Sequence, residues 1–111
     1  MTGLRVLHVV TDRDRRGAQV FATDLAEGLS DLGVLSTVVA LAPGAADDSL
    51  DIDVLGPSRR SRTTVSNLRR LAPDHDVVVA HGSSTLVVSA LALTGTKVPF
   101  VYRQISDPEF W

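Results

Sequence analysis

The residues best suited to binding chemistry lie in three short segments that are far apart in the sequence. They are Arg16, Gly17, Gln19, His81, Gly82, Ser83 and Arg103. Arginine side chains and the free backbone N–H groups at helix starts favour anions, whereas histidine, glutamine and serine side chains form hydrogen bonds to hydroxyl or phosphate oxygens. The set therefore indicates a binding site for a sugar or a phosphate group, and no metal site is predicted.

Several of these residues also have a purely structural interpretation. Gly17 could simply form the turn into a helix, His81 could be satisfied by neighbouring backbone, and helix ends such as Gly82-Ser83 often hold only water. We favour a binding role for His81 because it follows a core strand. His8 lies inside an apolar strand and is expected to be a packing residue, and His75 is expected to be exposed in a turn.

An alternation of strands and helices must position these segments. Apolar runs predict strands at residues 4–10, 37–41, 52–55, 77–80 and 98–102. Helices are predicted from Gly17 to about Leu32, from Thr63 or Thr64 up to Pro73, and from a cap at Ser83 or Ser84 up to Gly95. The first helix should present a stripe of large apolar side chains to the core, and its members are Phe21, Leu25, Leu29 and Leu32.

Such an alternation is typical of an α/β fold with a Rossmann-like parallel sheet and flanking helices. The usual winding predicts the strand order 3-2-1-4-5, in which strands 1 and 4 are neighbours at the switch point. Ligands bind at that crevice in open α/β sheets. The loops at residues 16–19 and 81–83 should therefore converge on one site, and Arg103 should lie at the same end of the sheet.

Composition narrows the classes of protein to which the chain can belong. It has 111 residues, a net charge of −2 and no cysteine, which excludes disulfides and thiolate metal sites and gives no general reason to expect nucleic-acid binding. No secretory signal or membrane-spanning run is apparent, so a cytoplasmic location is expected. No dinucleotide fingerprint or phosphate loop is present, and Gly56 and Arg103 stand where a receiver domain needs aspartate and lysine.

The ordered set of segments resembles the N-terminal domain of family-4 glycosyltransferases. The likeness is carried by the opening strand, the Gly17-Ala18-Gln19 turn, the Leu32-Gly33 helix end and the segments 37–41, 76–84 and 98–102. It covers essentially the whole chain, although no single motif is diagnostic. Two positions depart from the family pattern: Arg16 replaces the first glycine of the loop, and Arg103 and the residues after it replace a histidine that contacts the transferred sugar.

The resemblance implies two Rossmann-like domains facing across a cleft, the GT-B architecture, and sugar transfer from a nucleotide donor with retention at the anomeric carbon. The loop around Gly17 would approach the donor, while His81 and Ser83 would line the acceptor side. No cofactor is implied beyond the nucleotide sugar as co-substrate. The acceptor would be a glycan or lipid, at the cytoplasmic face of the membrane, and no residue is assigned as catalytic.

Residues 1–111 are then expected to be the acceptor-side domain, itself truncated, of a longer enzyme whose donor-binding domain is absent from this sequence, and to be inactive alone. The alternative is a stand-alone small α/β module that binds nucleotides or sugar phosphates. A basic cluster could be a solvated face or could contact an anionic acceptor or phospholipid surface as a peripheral membrane contact. Its members are Arg59, Arg60, Arg62, Arg69 and Arg70.

Overall fold

The computed structural model describes residues 3–13, 17–44 and 52–103, with backbone only at positions 17, 18, 83 and 84. Within those ranges lie five strands, three α-helices and one short 3₁₀ helix. In chain order the elements are β1 (Arg5–Asp12), α1 (Gly17–Asp31), β2 (Leu35–Ala42), β3 (Asp53–Val54), α2 (Arg62–Leu71), a 3₁₀ turn (Ala72–Asp74), β4 (Val77–His81), α3 (Ser83–Leu93) and β5 (Phe100–Arg103).

The strands form one parallel sheet in the order β3-β2-β1-β4-β5. This confirms the predicted α/β fold class and strand order. β1 lies at the centre and is buried from Val6 to Val10, as expected for a strand covered on both faces. The neighbouring positions of β1 and β4 place their carboxyl ends side by side at the switch point.

Side-chain parity along the strands divides the core into two layers. The larger layer lies beneath α2 and α3, where Leu7 and Val9 of β1 meet Val78 of β4 and Leu68 of α2. The smaller layer lies beneath α1 and contains Val10, together with Ala22 and Ala40. Even-numbered residues of β1 therefore face α1, and odd-numbered ones face the other two helices.

The predicted buried face of α1 is wrong. The buried apolar side chains of this helix are Ala22 and Ala26, whereas Phe21 is 46% exposed and Leu32 is 73% exposed. Small alanine side chains let the helix backbone lie close to the sheet, so the larger side chains are displaced to its flanks. Phe21 is thereby left at the edge of the crevice rather than in the core.

Helix ends also differ in detail from the sequence expectations. α2 begins at Arg62, one residue earlier than predicted, because Ser61 is its N-cap and accepts a hydrogen bond from the Thr64 backbone. The chain continues past Leu71 into the 3₁₀ turn that contains Pro73. α3 has Gly82 as its N-cap without a side-chain cap, so the predicted serine cap is wrong.

Candidate functional site

Three strands end at the crevice, and their register brings distant residues together. His81 pairs with Arg103 between β4 and β5, and His8 of β1 pairs with Val79, two positions before His81. Because side chains two positions apart share one face of a strand, His8, His81 and Arg103 all lie on the α1 side of the sheet. The site is thus assembled by strand register rather than by one loop.

A continuous chain of hydrogen bonds connects these three side chains. Arg103 Nε donates to His81 Nδ1 at 2.8 Å, and His81 Nε2 lies 3.0 Å from His8 Nδ1. The two imidazole rings are stacked, with centroids 5.2 Å apart and an interplanar angle of 30°. Both histidines are buried: His8 has no exposed surface, and His81 is 1% exposed.

These contacts determine where the protons lie. Because His81 Nδ1 accepts from Arg103, its proton must be on Nε2, which then donates to His8 Nδ1. The proton of His8 is therefore on Nε2. Burial lowers the pKa of His8 to about 4, and burial with the nearby His8 and Arg103 lowers the pKa of His81 to about 4. Both rings are neutral near pH 7, as the hydrogen bonds require.

Arg103 supplies the positive charge of this three-residue cluster. Its guanidinium carbon lies 4.1 Å from the centroid of the Phe21 ring, a cation–π geometry. Phe21 also stands against His81, with centroids 6.4 Å apart and an angle of 59°. The exposed position of Phe21 on α1 therefore has a structural role: its ring packs against the Arg103 guanidinium and stands beside His81.

Two buried N–H groups of this cluster have no hydrogen-bond partner within the described part of the chain. They are Nε2 of His8 and Nη2 of Arg103. A buried donor without an acceptor costs about 1–3 kcal/mol, so such groups are uncommon outside functional sites. The cluster offers donors and a positive charge, which suits a ligand with acceptor atoms.

A second polar pair lies at the carboxyl end of β1. Gln19 Nε2 donates to Asp12 Oδ1 at 2.9 Å, and both side chains are buried. This contact ties the last residue of the strand to the first turn of α1. Gln19 thereby helps to fix the position of the helix start at the crevice.

Gly82 makes the turn from β4 into α3. Its φ of 94° and ψ of 156° lie in a region that only glycine adopts without strain. Its backbone N–H donates to the Arg103 carbonyl at 3.0 Å, and its carbonyl accepts from the Thr85 side chain at 2.7 Å. The glycine therefore links the ends of β4 and β5 and keeps His81 and Arg103 adjacent.

Of the predicted site residues, His81, Gly82 and Arg103 are in direct contact at the carboxyl ends of β4 and β5. Gln19 lies in the first turn of α1 and hydrogen-bonds Asp12 rather than these three residues. Gly17 and Ser83 are the first residues of their helices, and the Ser83 side chain lies outside the described part of the structure. Arg16 also lies outside the described residues.

Sequence reasoning missed two members of the cluster, His8 and Phe21. His8 is buried, as predicted, but it also hydrogen-bonds His81. The parity of β1 and β4 in the predicted strand order was the signal that could have paired the two histidines. Outside the cluster, the prediction that His75 is exposed is wrong: the side chain is half-buried, and its Nδ1 lies 3.1 Å from the Leu71 carbonyl oxygen.

No group of three or more histidine and acidic side chains within the described ranges could hold a metal ion. None of the helices in those ranges is long and apolar enough to cross a bilayer.

No protein-family model, no curated protein and no solved structure matches this chain. Its function must therefore be argued from the crevice itself.

Proposed function

We propose that this chain is the N-terminal, acceptor-side part of a retaining glycosyltransferase with the GT-B architecture. The parent enzyme would move a sugar from a nucleotide-sugar donor to a glycan or lipid acceptor, at the cytoplasmic face of a membrane. The segment alone would be inactive, since the donor half is expected in a second domain. The observation that carries the proposal is the Arg103–His81–His8 cluster at the switch point of a 3-2-1-4-5 sheet.

The geometry gives the cluster residues different roles. Both ring nitrogens of His81 already take part in hydrogen bonds, so His81 acts by holding Arg103 rather than by contacting a ligand itself. Arg103 retains N–H groups beyond the one it gives to His81. It is therefore the residue we assign to ligand contact. Gly82 and the start of α3 form the adjoining wall of the crevice, and the Gly82 N–H is already bonded to the Arg103 carbonyl.

The basic residues on α2 differ in how far they are available for the proposed membrane contact. Arg62 and Arg70 are exposed, but Arg69 donates to the Thr94 carbonyl at 2.8 Å and so caps the end of α3. Arg69 is therefore engaged within the fold. Arg60, Arg62 and Arg70 are the exposed arginines that would approach anionic lipid headgroups.

A transfer assay tests the proposal. The whole product of the gene that encodes this chain is incubated with a panel of labelled nucleotide sugars and with glycan and lipid acceptors. We expect labelled product from the whole protein and none from this chain alone. The variant Arg103→Gln should lower kcat/KM by roughly tenfold or more. Arg5→Gln, an exposed arginine at the opposite end of the sheet, is the matched control and should leave activity unchanged.

Absence of transfer across the whole panel, or equal activity of Arg103→Gln and the unmodified protein, would contradict the proposal.

The second candidate function is a stand-alone module that binds nucleotides or sugar phosphates. It is favoured by one observation: the whole hydrogen-bonded cluster is built from residues of this chain. Tight binding of such a ligand by the isolated chain in calorimetry, without transfer by the whole gene product, would select it.

A further inference from the structure

Among the described residues, no carboxylate forms an ion pair with Arg103. Its two side-chain partners are the neutral His81 ring and the Phe21 ring. The only ion pair found within residues 3–13, 17–44 and 52–103 joins Arg5 to Asp76, at the amino end of the sheet. A partly buried guanidinium without a carboxylate is costly unless an anion compensates it.

The hydrogen bonds of the cluster all run in one direction. Arg103 donates to His81, His81 donates to His8, and the last proton remains on His8 Nε2 without an acceptor among the described residues. The cluster therefore has no lone pair to offer a ligand at either end. It can offer N–H groups only, which excludes ligands that act solely as donors, such as ammonium groups.

The Arg103 side chain is also held in a fixed orientation. The Nε hydrogen bond fixes one edge of the guanidinium, and Phe21 supports its face at 4.1 Å. A guanidinium held in this way has lost rotamer freedom before the ligand arrives, which reduces the entropy cost of binding. Planar N–H groups of this kind match the paired oxygens of a phosphate or carboxylate.

The geometry points to Arg103 as the receptor for an oxyanion on the acceptor, a phosphate or carboxylate group, with His81 and His8 as the positioning residues behind it. The inference rests on the proposed function for the identity of the acceptor. It narrows the acceptor from any glycan or lipid to an anionic one, such as a phosphorylated sugar or a phospholipid headgroup. The oxyanion is recognised by charge and donor geometry alone.

Calorimetry with matched ligands tests this inference on the whole gene product. The probes are a hexose, the same hexose carrying a phosphate and a nucleoside diphosphate, all at constant ionic strength. We expect the sugar phosphate to bind roughly tenfold or more tightly than the neutral sugar, and Arg103→Gln to remove that difference. Arg103→Lys should keep part of it because it retains the charge but loses the planar geometry. Arg5→Gln is the control and should change nothing.

The positioning role of His81 has its own comparison. His81→Asn keeps an acceptor oxygen near the Nδ1 position, whereas His81→Leu removes it, so the asparagine variant should bind the sugar phosphate more tightly than the leucine variant. The Arg103 Nε–H signal in nitrogen-edited NMR should remain slow to exchange in the first and become fast in the second. Equal affinities and equal exchange in the two variants would overturn the positioning role.

Three results would overturn the assignment of the oxyanion to the acceptor. The first is equal affinity for the neutral and the phosphorylated sugar, and the second is a preference that survives in Arg103→Gln. The third is competition between the nucleoside diphosphate and the sugar phosphate, which would assign the oxyanion to the donor. Transfer to neutral acceptors alone would likewise overturn this inference and leave the glycosyltransferase proposal intact. Arg103-dependent phosphate binding without any transfer would overturn the glycosyltransferase proposal and leave Arg103 as an oxyanion receptor whose ligand is not an acceptor.

Discussion

His81 accepts from Arg103 at Nδ1 and donates to His8 from Nε2, an arrangement that exists only while both rings are neutral. The charged Arg103 guanidinium is therefore held by a neutral imidazole ring. The positions of His81 and Arg103 could be predicted from sequence because both fall where an apolar run ends. His8 lies within an apolar run rather than at its end, so only the parity of β1 against β4 could have connected it to His81.

The first prediction concerns the histidine tautomers. Long-range proton–nitrogen NMR at pH 7 should show both His8 and His81 with the proton on Nε2 and a bare Nδ1. His75→Asn removes the third histidine signal and serves to assign the spectrum. A proton on His81 Nδ1 would show that Arg103 does not donate to this ring.

The second prediction concerns acid sensitivity. The pKa of each buried histidine is about 4 in the folded protein, against 6.5 in the unfolded chain. The unfolded state therefore binds more protons between these values, and stability falls as pH drops from about 6.5 to about 4. For one histidine the loss is on the order of 3 kcal/mol. Below about pH 4 this contribution changes no further.

Urea unfolding of His8→Asn measures this effect. Asparagine keeps an acceptor for His81 and cannot titrate, so its free energy of unfolding should fall less steeply between pH 6.5 and pH 4 than that of the unmodified chain. His75→Asn is the matched control and should retain the full slope. Parallel slopes in the unmodified chain and His8→Asn would mean that His8 is not held neutral by burial.

At the scale of elements, the order of strands and helices followed from alternating apolar runs, but the buried face of α1 did not. Its sequence carries two stripes at helical spacing, one of large apolar residues and one that contains Ala22 and Ala26. Periodicity cannot tell which of the two stripes packs on the sheet, because that depends on the distance between the helix axis and the sheet. The close approach favours the alanines, and it leaves Phe21 free to cover Arg103.

Two glycine substitutions form a matched test of local packing. A methyl group at Gly56 would collide with the Thr64 hydroxyl and lie 3.0 Å from Ser61 Oγ, at the start of α2. Gly56→Ala should therefore lower the free energy of unfolding by about 1–3 kcal/mol. Gly28→Ala, at an exposed position of α1 with nothing within 4 Å of the new methyl group, should raise the free energy of unfolding by roughly 0.5–1 kcal/mol.

Urea denaturation of both glycine variants measures these changes. The contrast in sign is the informative result, because both substitutions are chemically identical. A stabilising Gly56→Ala would mean that the loop between β3 and α2 does not pack against Thr64 as the structure shows.

At the scale of the whole molecule, the described sheet has edges at β3 and β5. β5 carries Val101, which lies on the same side of the sheet as α1 but is not covered by that helix and is 51% exposed. Exposed apolar edge strands pair with other chains. The strand order forms the crevice between β1 and β4 at the centre of the sheet. It also leaves β5, the strand next to the crevice, as an exposed edge.

The isolated chain should therefore self-associate at micromolar concentration. A lysine on the exposed face of an edge strand opposes pairing, so Val101→Lys should weaken self-association by about tenfold. Sedimentation equilibrium measures both constants, and Val87→Lys, on an exposed face of α3, is the control for a general loss of apolar surface. A monomeric unmodified chain would contradict the edge-pairing prediction.

Ligands should bind at the carboxyl ends of β1, β4 and β5, and the most direct test is a map of amide chemical-shift changes in this chain as a hexose phosphate is added. We expect the largest changes at His81, Gly82 and Arg103. A competing cleft of about 310 Å³ lies between β3 and α2, where Leu55 and Arg70 contribute to its lining. Changes confined to that cleft, or no changes anywhere, would contradict the account.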